Sequence, residues 1–230
     1  MRLPWHGWLG RQLIDPHFRQ ARLWSNEALR PIAELCEGDV INVSAWKDED
    51  KEGGHYRDYF ARASTYVTSN YGGYRGAGEA DDIELDLESP LPPELHSRFD
   101  VTYNHTTLEH VFDVFTAVRN LCSLSRDLVI VVVPFVQKVH TSESFSDYWR
   151  FTAPGIGKML ESNGLEVVFL SSSPRCDAAI YHICVASRHP ERWRNKLARL
   201  RQSVNTGDGL FQQSPFGRFT RRVARALWSQ

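Results

Sequence analysis

Two short stretches of this 230-residue chain gather the side chains best suited to acid–base and anion chemistry: Leu108-Glu109-His110, and the run from His140 to Phe151. Imidazole titrates near neutral pH, so His140 is the preferred base for taking a proton from a hydroxyl or amine. His110 is a second candidate, either as a base or as a group that orients an acceptor, and its alternative is a packing histidine at a helix start. Arg150 presents the fork that grips a carboxylate or phosphate at two points, with Tyr148 beside it as a positioning group. Asp147 can stand behind either His140 or Arg150. The competing reading makes Tyr148, Trp149 and Phe151 an aromatic cap and pairs Arg150 with a carboxylate of the chain itself. His105, Glu109, His110 and His140 fit no standard metal-ligand spacing, so no metal is expected.

These residues need a frame. Asp127 to Val136 reads as a strand apolar on both faces, the mark of a central parallel strand. Val40 to Val43 forms a shorter buried strand, followed by the loop Ser44-Ala45-Trp46 and a run of charges. Ser64–Tyr71, a short segment at Ile83–Leu87, and Arg98–His105 supply three more strands. Two others fall after Gly164 and at Ala178–Ser187. Between them the spacing predicts a short helix over Tyr56–Ala63, a helix from Thr107 to Ser125, and one starting at Thr152 with Pro154 in its first turn. Before them, Phe18–Cys36 reads as two short helices separated or restarted at Pro31. Alternation of this kind implies an α/β sheet with helices on both faces and a closing antiparallel strand.

Composition bounds the rest. A hydrophobic share of 42% and a charged share of 24% suit a water-soluble globular domain, and no run is long enough to span a membrane. The first residues lack the apolar core of a signal peptide, so the expected location is the cytoplasm. Cys36, Cys122, Cys176 and Cys184 show no paired spacing and read as reduced core residues. Residues 188–230 carry 10 basic and 2 acidic side chains, against 17 and 26 in residues 1–187. An acidic body argues against nucleic acid as the partner of the core. The basic end holds two amphipathic stretches, suited to a membrane surface, to a partner protein, or to the chain's own acidic body and a second copy of it.

The order of the pieces resembles the class I S-adenosylmethionine-dependent methyltransferases, in the branch with LEHV and DYWRFT motifs. Three stretches carry the resemblance: "RFDVTYNHTTLEHVFDVFTAVRNLCSLSRDLVIVVVPF", "SFSDYWRFTAPGIGKMLESNGLEVV" and "DIELDLESPLP". It covers residues 38–187, leaving 1–37 as a helical extension and 188–230 as a basic tail. The family implies a Rossmann-like, seven-stranded, mostly parallel sheet whose last strand is antiparallel, with S-adenosylmethionine across the carboxyl ends of the first strands. By position, Asn42, Val43, Ser44, Ala45 and Trp46 match the cofactor loop, which departs from the family's glycine pattern at Trp46. Asn70 and Tyr71 match the ribose-binding end of strand two, where an acid is usual. Asp86 and Leu87 match the adenine-edge pair, and Asn104 and His105 the pocket floor. What the resemblance implies is methyl transfer to an oxygen or nitrogen of a sugar-like or small polar acceptor, with surface-polysaccharide biosynthesis as the setting. The alternative is a methyltransferase-like binding or scaffold subunit without the reaction.

Overall fold

The computed structural model describes residues 16–72, 83–143, 145–174, 179–200 and 202. Seven strands form one sheet in the order β3-β2-β1-β4-β5-β7-β6. They are β1 (Gly38–Val43), β2 (Ala63–Asn70), β3 (Ile83–Glu84), β4 (Phe99–His105), β5 (Ser125–Pro134), β6 (Glu166–Ser172) and β7 (Tyr181–Ser187). All neighbours are parallel except β7, which lies antiparallel between β5 and β6. The expected α/β sheet with one antiparallel strand is therefore present. Chain order reverses between β1 and β4, and such a switch point opens a crevice at the carboxyl ends of the strands.

The helices are α1 (Pro16–Ala33), α2 (Val114–Leu124), α3 (Ala153–Glu161) and α4 (Pro190–Leu197). Strand pleating sorts the core into two layers. Ile41, Val43, Val129, Val131 and Val133 pack toward α2 and α3, while Val40, Val101, Tyr103, Ile130 and Val132 pack toward α1 and α4. The β5 residues Leu128 to Val133 are fully buried, contributing about 1.5–3 kcal/mol each as an upper bound. Gly38 begins β1 at φ +84, where a side chain would run into the Asp100 carboxylate.

Three local expectations change. Residues 16–33 make one helix rather than two: Pro31 gives up the bond its N–H would make to the Glu27 carbonyl, but it lies in the last turn, and Leu29, Ile32 and Ala33 around it are fully buried in the core. Tyr56–Tyr59 is a single 3₁₀ turn, not a helix to Ala63. That turn already buries Tyr56, Tyr59 and Phe60, and Ala63 pairs with Gly38 in the sheet. The helix after β4 begins only at Val114, where the Asp113 side chain caps the Thr116 N–H, and Leu108–His110 is a separate 3₁₀ turn. Thr152 caps α3 as its sequence suggests, accepting the Gly155 N–H.

Candidate active site at the carboxyl edge

Backbone strain collects at the switch point. Ser44, Trp46 and Asp48 after β1, and Thr106 after β4, all have positive φ without being glycine. Each such residue costs about 1 kcal/mol or more and persists only where its surroundings enforce it. After β1 the enforcing groups are two buried aspartates. Asp48 accepts from Asn42 Nδ2 at 2.7 Å, Tyr66 Oη at 2.7 Å and the Arg57 N–H at 3.0 Å. Asp50 accepts from the Glu52 and Gly54 N–H groups and from Tyr59 Oη at 2.8 Å. Burial pushes the Asp50 carboxyl up, but these donors and Arg30 outweigh it and hold it below the usual range. The charge run is thus a hydrogen-bonded loop rather than a loose solvated one.

The predicted cofactor residues divide. The Ala45 N–H bonds the Ser69 carbonyl at 3.0 Å, and the Trp46 N–H bonds Asn70 Oδ1 at 2.7 Å. Asn70 Nδ2 donates back to the Trp46 carbonyl at 3.3 Å, so its amide holds this loop. The Trp46 residue is 41% exposed, and its ring lies under the Lys51 ammonium at 4.3 Å. Tyr71 is exposed as well, whereas Leu87 is in the core. The Asp86 carboxylate folds onto its own turn, accepting from the Glu88 N–H and the Ser89 hydroxyl.

Asn104 and His105, both expected on the pocket floor, face opposite sides of β4. Asn104 shares the α2–α3 face with Val43, and its amide donates to the Val43 carbonyl. Its Oδ1 has no partner, nor has Ser69 Oγ on the other side of Val43, although both atoms are buried. Two unsatisfied polar atoms flanking one strand end suit the hydroxyl and amino donors of a ligand. Ser69 lies in the same stretch as the matched Asn70 and Tyr71, and the pairing of the strands shows that it is Ser69 that stands beside Val43.

His105 turns to α1. Arg22 donates to His105 Nδ1 at 2.7 Å, which leaves the proton on Nε2 to reach Ser25 Oγ at 3.0 Å; Ser25 in turn donates to the Arg22 carbonyl at 2.8 Å. Burial first, and the Arg22 charge second, hold His105 far below its ordinary pKa, so the ring is neutral. Arg22 also reaches Thr106 Oγ1, steadying that strained residue.

Of the acid–base candidates, three converge on Asp147 and its neighbours. Arg150 grips Asp147 with both terminal nitrogens, at 2.5 and 2.7 Å, and holds its carboxyl down at about 2. The His140 backbone N–H donates to Asp147 Oδ2 at 2.8 Å, and the His140 ring nitrogen Nδ1 lies 3.4 Å from it. His110 packs edge-on against His140, ring centres 4.7 Å apart, and its Nδ1 donates to the Ser146 carbonyl at 2.7 Å. That bond leaves Nε2 as the acceptor nitrogen, and burial lowers the pKa of the ring. Tyr148 stands apart, edge-on to Phe112 at 5.3 Å, and both residues are exposed.

Beneath His110 lies a group that sequence reading weighed only as a metal ligand. Glu109 is 1% exposed, and neither carboxylate oxygen has a hydrogen-bond partner. Burial pushes its carboxyl up to about 8, with Asp147 adding to the rise. Its main chain ties the two motifs together, since the Tyr148 and Trp149 N–H groups both bond the Glu109 carbonyl. Among the described residues no group of three or more His, Cys, Asp or Glu is arranged to hold a metal. Nor is any described helix long and apolar enough to cross a membrane.

No protein-family model and no curated protein matches the sequence. Solved structures share the fold. CalH, a trans-methyltransferase in complex with SAH, aligns with a TM-score of 0.52 at 12% identity, covering 78% of this chain and 61% of that one. An S-adenosylmethionine-dependent methyltransferase from Mesorhizobium loti aligns at 0.51 and 13% identity, covering 73% and 98%. The [4+2]-cyclase SpnF aligns at 0.51 and 11% identity, covering 73% and 80%. The sheet is thus the Rossmann-like fold of class I S-adenosylmethionine-dependent methyltransferases. A cyclase among its neighbours shows that this fold hosts more than one chemistry.

Proposed function

We propose that the chain is an S-adenosylmethionine-dependent methyltransferase acting on an oxygen or nitrogen of a sugar-like or small polar acceptor, with surface-polysaccharide biosynthesis as its setting. One observation supports this most. Positive-φ Ser44, Trp46, Asp48 and Thr106 and the unsatisfied buried Ser69 Oγ and Asn104 Oδ1 all lie at or just beyond the carboxyl ends of β1, β2 and β4, beside the switch point. In this reading Ser69 and Asn104 take hydroxyl or amino donors of the cofactor. Asn42, Ser44, Ala45, Trp46, Asn70, Tyr71, Asp86, Leu87 and His105 shape and brace the surrounding wall. The bound sulfonium supplies an electrophilic methyl group.

The remaining work is positioning and proton removal. His110, with Nδ1 fixed by Ser146, presents Nε2 to an acceptor, and His140 stands ring to ring with it as the second proton carrier. Arg150 fixes Asp147 and so the loop that carries His140. Tyr148 and the exposed Phe112 offer an apolar platform for the acceptor's body. Residues 201 and 203–230 lie outside the described residues; we assign the basic tail contact with the chain's own acidic body or a second copy, with an anionic membrane surface or a partner protein as the alternative.

The scaffold reading draws on the loop after β1, where the Ala45, Trp46 and Asp48 N–H groups all bond to the protein itself. Isothermal titration with S-adenosylmethionine and S-adenosylhomocysteine separates the two. Micromolar binding of either supports methyl transfer; no heat at millimolar ligand leaves the scaffold reading.

A further inference from the structure

Among the described residues two arginines are half-buried rather than exposed, Arg22 and Arg150. Arg150 is matched by Asp147. Arg22 instead meets only neutral acceptors: Tyr56 Oη at 3.3 Å, His105 Nδ1 at 2.7 Å and Thr106 Oγ1 at 3.2 Å. The Tyr56 hydroxyl gives its own proton to Asn26, and burial keeps the His105 ring uncharged. Among the described residues no carboxylate forms an ion pair with Arg22. Glu109 is within electrostatic reach, but burial pushes its carboxyl up to about 8. A guanidinium has five N–H donors. Tyr56 and His105 take both on Nη1 and Thr106 takes one on Nη2. The Nε–H and the second Nη2 hydrogen meet no acceptor among the described residues. Nor is Nε sealed from solvent, as both Glu109 oxygens are.

We infer that Arg22 is the recognition site for an anionic group on the acceptor, a carboxylate or a phosphate. The inference rests on the methyl-transfer reading and narrows its small polar acceptor to an acidic one. Charge selects the ligand: a water or a hydroxyl could take the two open donors, but only an anion also matches a cation partly withdrawn from water. Donors on neighbouring nitrogens of one planar fork suit two oxygens of the same carboxylate or phosphate. Position assigns that anion to the acceptor rather than the cofactor. The guanidinium extends from Thr106, after β4, to within 5.9 Å of the centre of the Tyr181 ring, which opens β7 opposite the last residue of β5. His110 and His140, the proton carriers, follow β4 and β5. Ser69, assigned to the cofactor, ends β2, four strand spacings or about 19 Å from β7. Asn104, its partner in that role, faces the other side of β4 from His105 and Arg22.

The test titrates the full chain with inorganic phosphate and with acetate at constant ionic strength, with and without saturating S-adenosylhomocysteine. At least one anion should bind in both conditions, and the tighter of the two names the acidic group. Arg22→Gln should weaken that binding by about tenfold or more, while Arg22→Lys, which keeps the charge but not the fork, retains part of it. Circular dichroism checks that each variant is folded. Nitrogen-15 spectra of the wild type add a reading that needs no variant: the anion should give a saturable shift of an arginine Nε–H signal. Binding of neither anion, no such shift, or equal affinity in folded Arg22→Gln each overturns the inference. It is also overturned if S-adenosylhomocysteine excludes the anions and Arg22→Gln weakens that ligand but not 5′-methylthioadenosine, which lacks the carboxylate; the site would then serve the cofactor. Wild-type protein that binds the anions through Arg22 but no S-adenosylhomocysteine instead overturns the methyl-transfer reading, leaving the anion site in place.

Discussion

Asn70 and Trp46 clasp each other through two hydrogen bonds, the Asn70 amide bridging both the N–H and the carbonyl of one tryptophan backbone. The end of β2 thereby fixes the loop after β1. Asn70→Ala removes both bonds from a buried position and is expected to destabilise the chain by about 1–3 kcal/mol. Urea denaturation measures that loss. Limited proteolysis should show faster cleavage between Lys47 and Lys51, and an unchanged cleavage pattern would count against the clasp.

Ser44 sits at φ 58 immediately after β1. Glycine adopts that conformation freely but loses more entropy on folding, so the two effects nearly offset. Ser44→Gly is expected to be neutral to stabilising, by up to about 1 kcal/mol, where an ordinary serine-to-glycine change in a strand destabilises. Thermal denaturation of the single variant settles the sign.

Glu109 gives stability a pH dependence of its own. Its folded-state pKa of about 8 lies above the ordinary 4.5, so the folded chain holds a proton that the unfolded chain releases. Stability from this group is highest below pH 4.5 and declines as the pH rises to about 8, by a few kcal/mol in all. Glu109→Gln cannot ionise. Its advantage over the wild type should therefore be larger at pH 9 than at pH 5 in urea melts, and an equal advantage at both would contradict the assignment.

Arg150→Ala strips the arginine from Asp147, whose side chain has no solvent exposure, and leaves it only the His140 N–H and ring. An uncompensated buried carboxylate of this kind costs about 3–5 kcal/mol. The loss extends to the bonds Arg150 makes with the carbonyls of Gln137, Lys138 and Trp149. Hydrogen exchange should speed up across residues 137–150 while the β1 and β4 amides stay protected.

Much of this architecture is legible in the sequence, and the reasons differ from piece to piece. β5 announces itself because from Leu128 to Val133 both its faces are buried, so nothing polar interrupts that run. The Thr152 cap and Pro154 mark α3 through local chemistry alone. Tyr56–Phe60 misleads because a single 3₁₀ turn and a helix bury the same spacing of aromatics, and only the pairing of Ala63 with Gly38 decides between them. His140 looks the better base in sequence, since its segment follows the central strand and so falls at the carboxyl edge of the sheet. In space Asp147 is shared by Arg150 and His140, and His110 is the ring whose tautomer is fixed by the Ser146 carbonyl. Glu109 is invisible to pattern because its distinction is what fails to surround it.

Arg22, near the start of the described chain, places its guanidinium 5.9 Å from the Tyr181 ring on β7, and α1 packs along that strand. The same arginine positions His105 and lies within electrostatic reach of Glu109. An emerging chain therefore cannot complete its reactive edge until β7 has left the ribosome and slotted between β5 and β6. Contacts of such sequence separation slow folding, and the first described helix must wait, half-covered, for the last described strand.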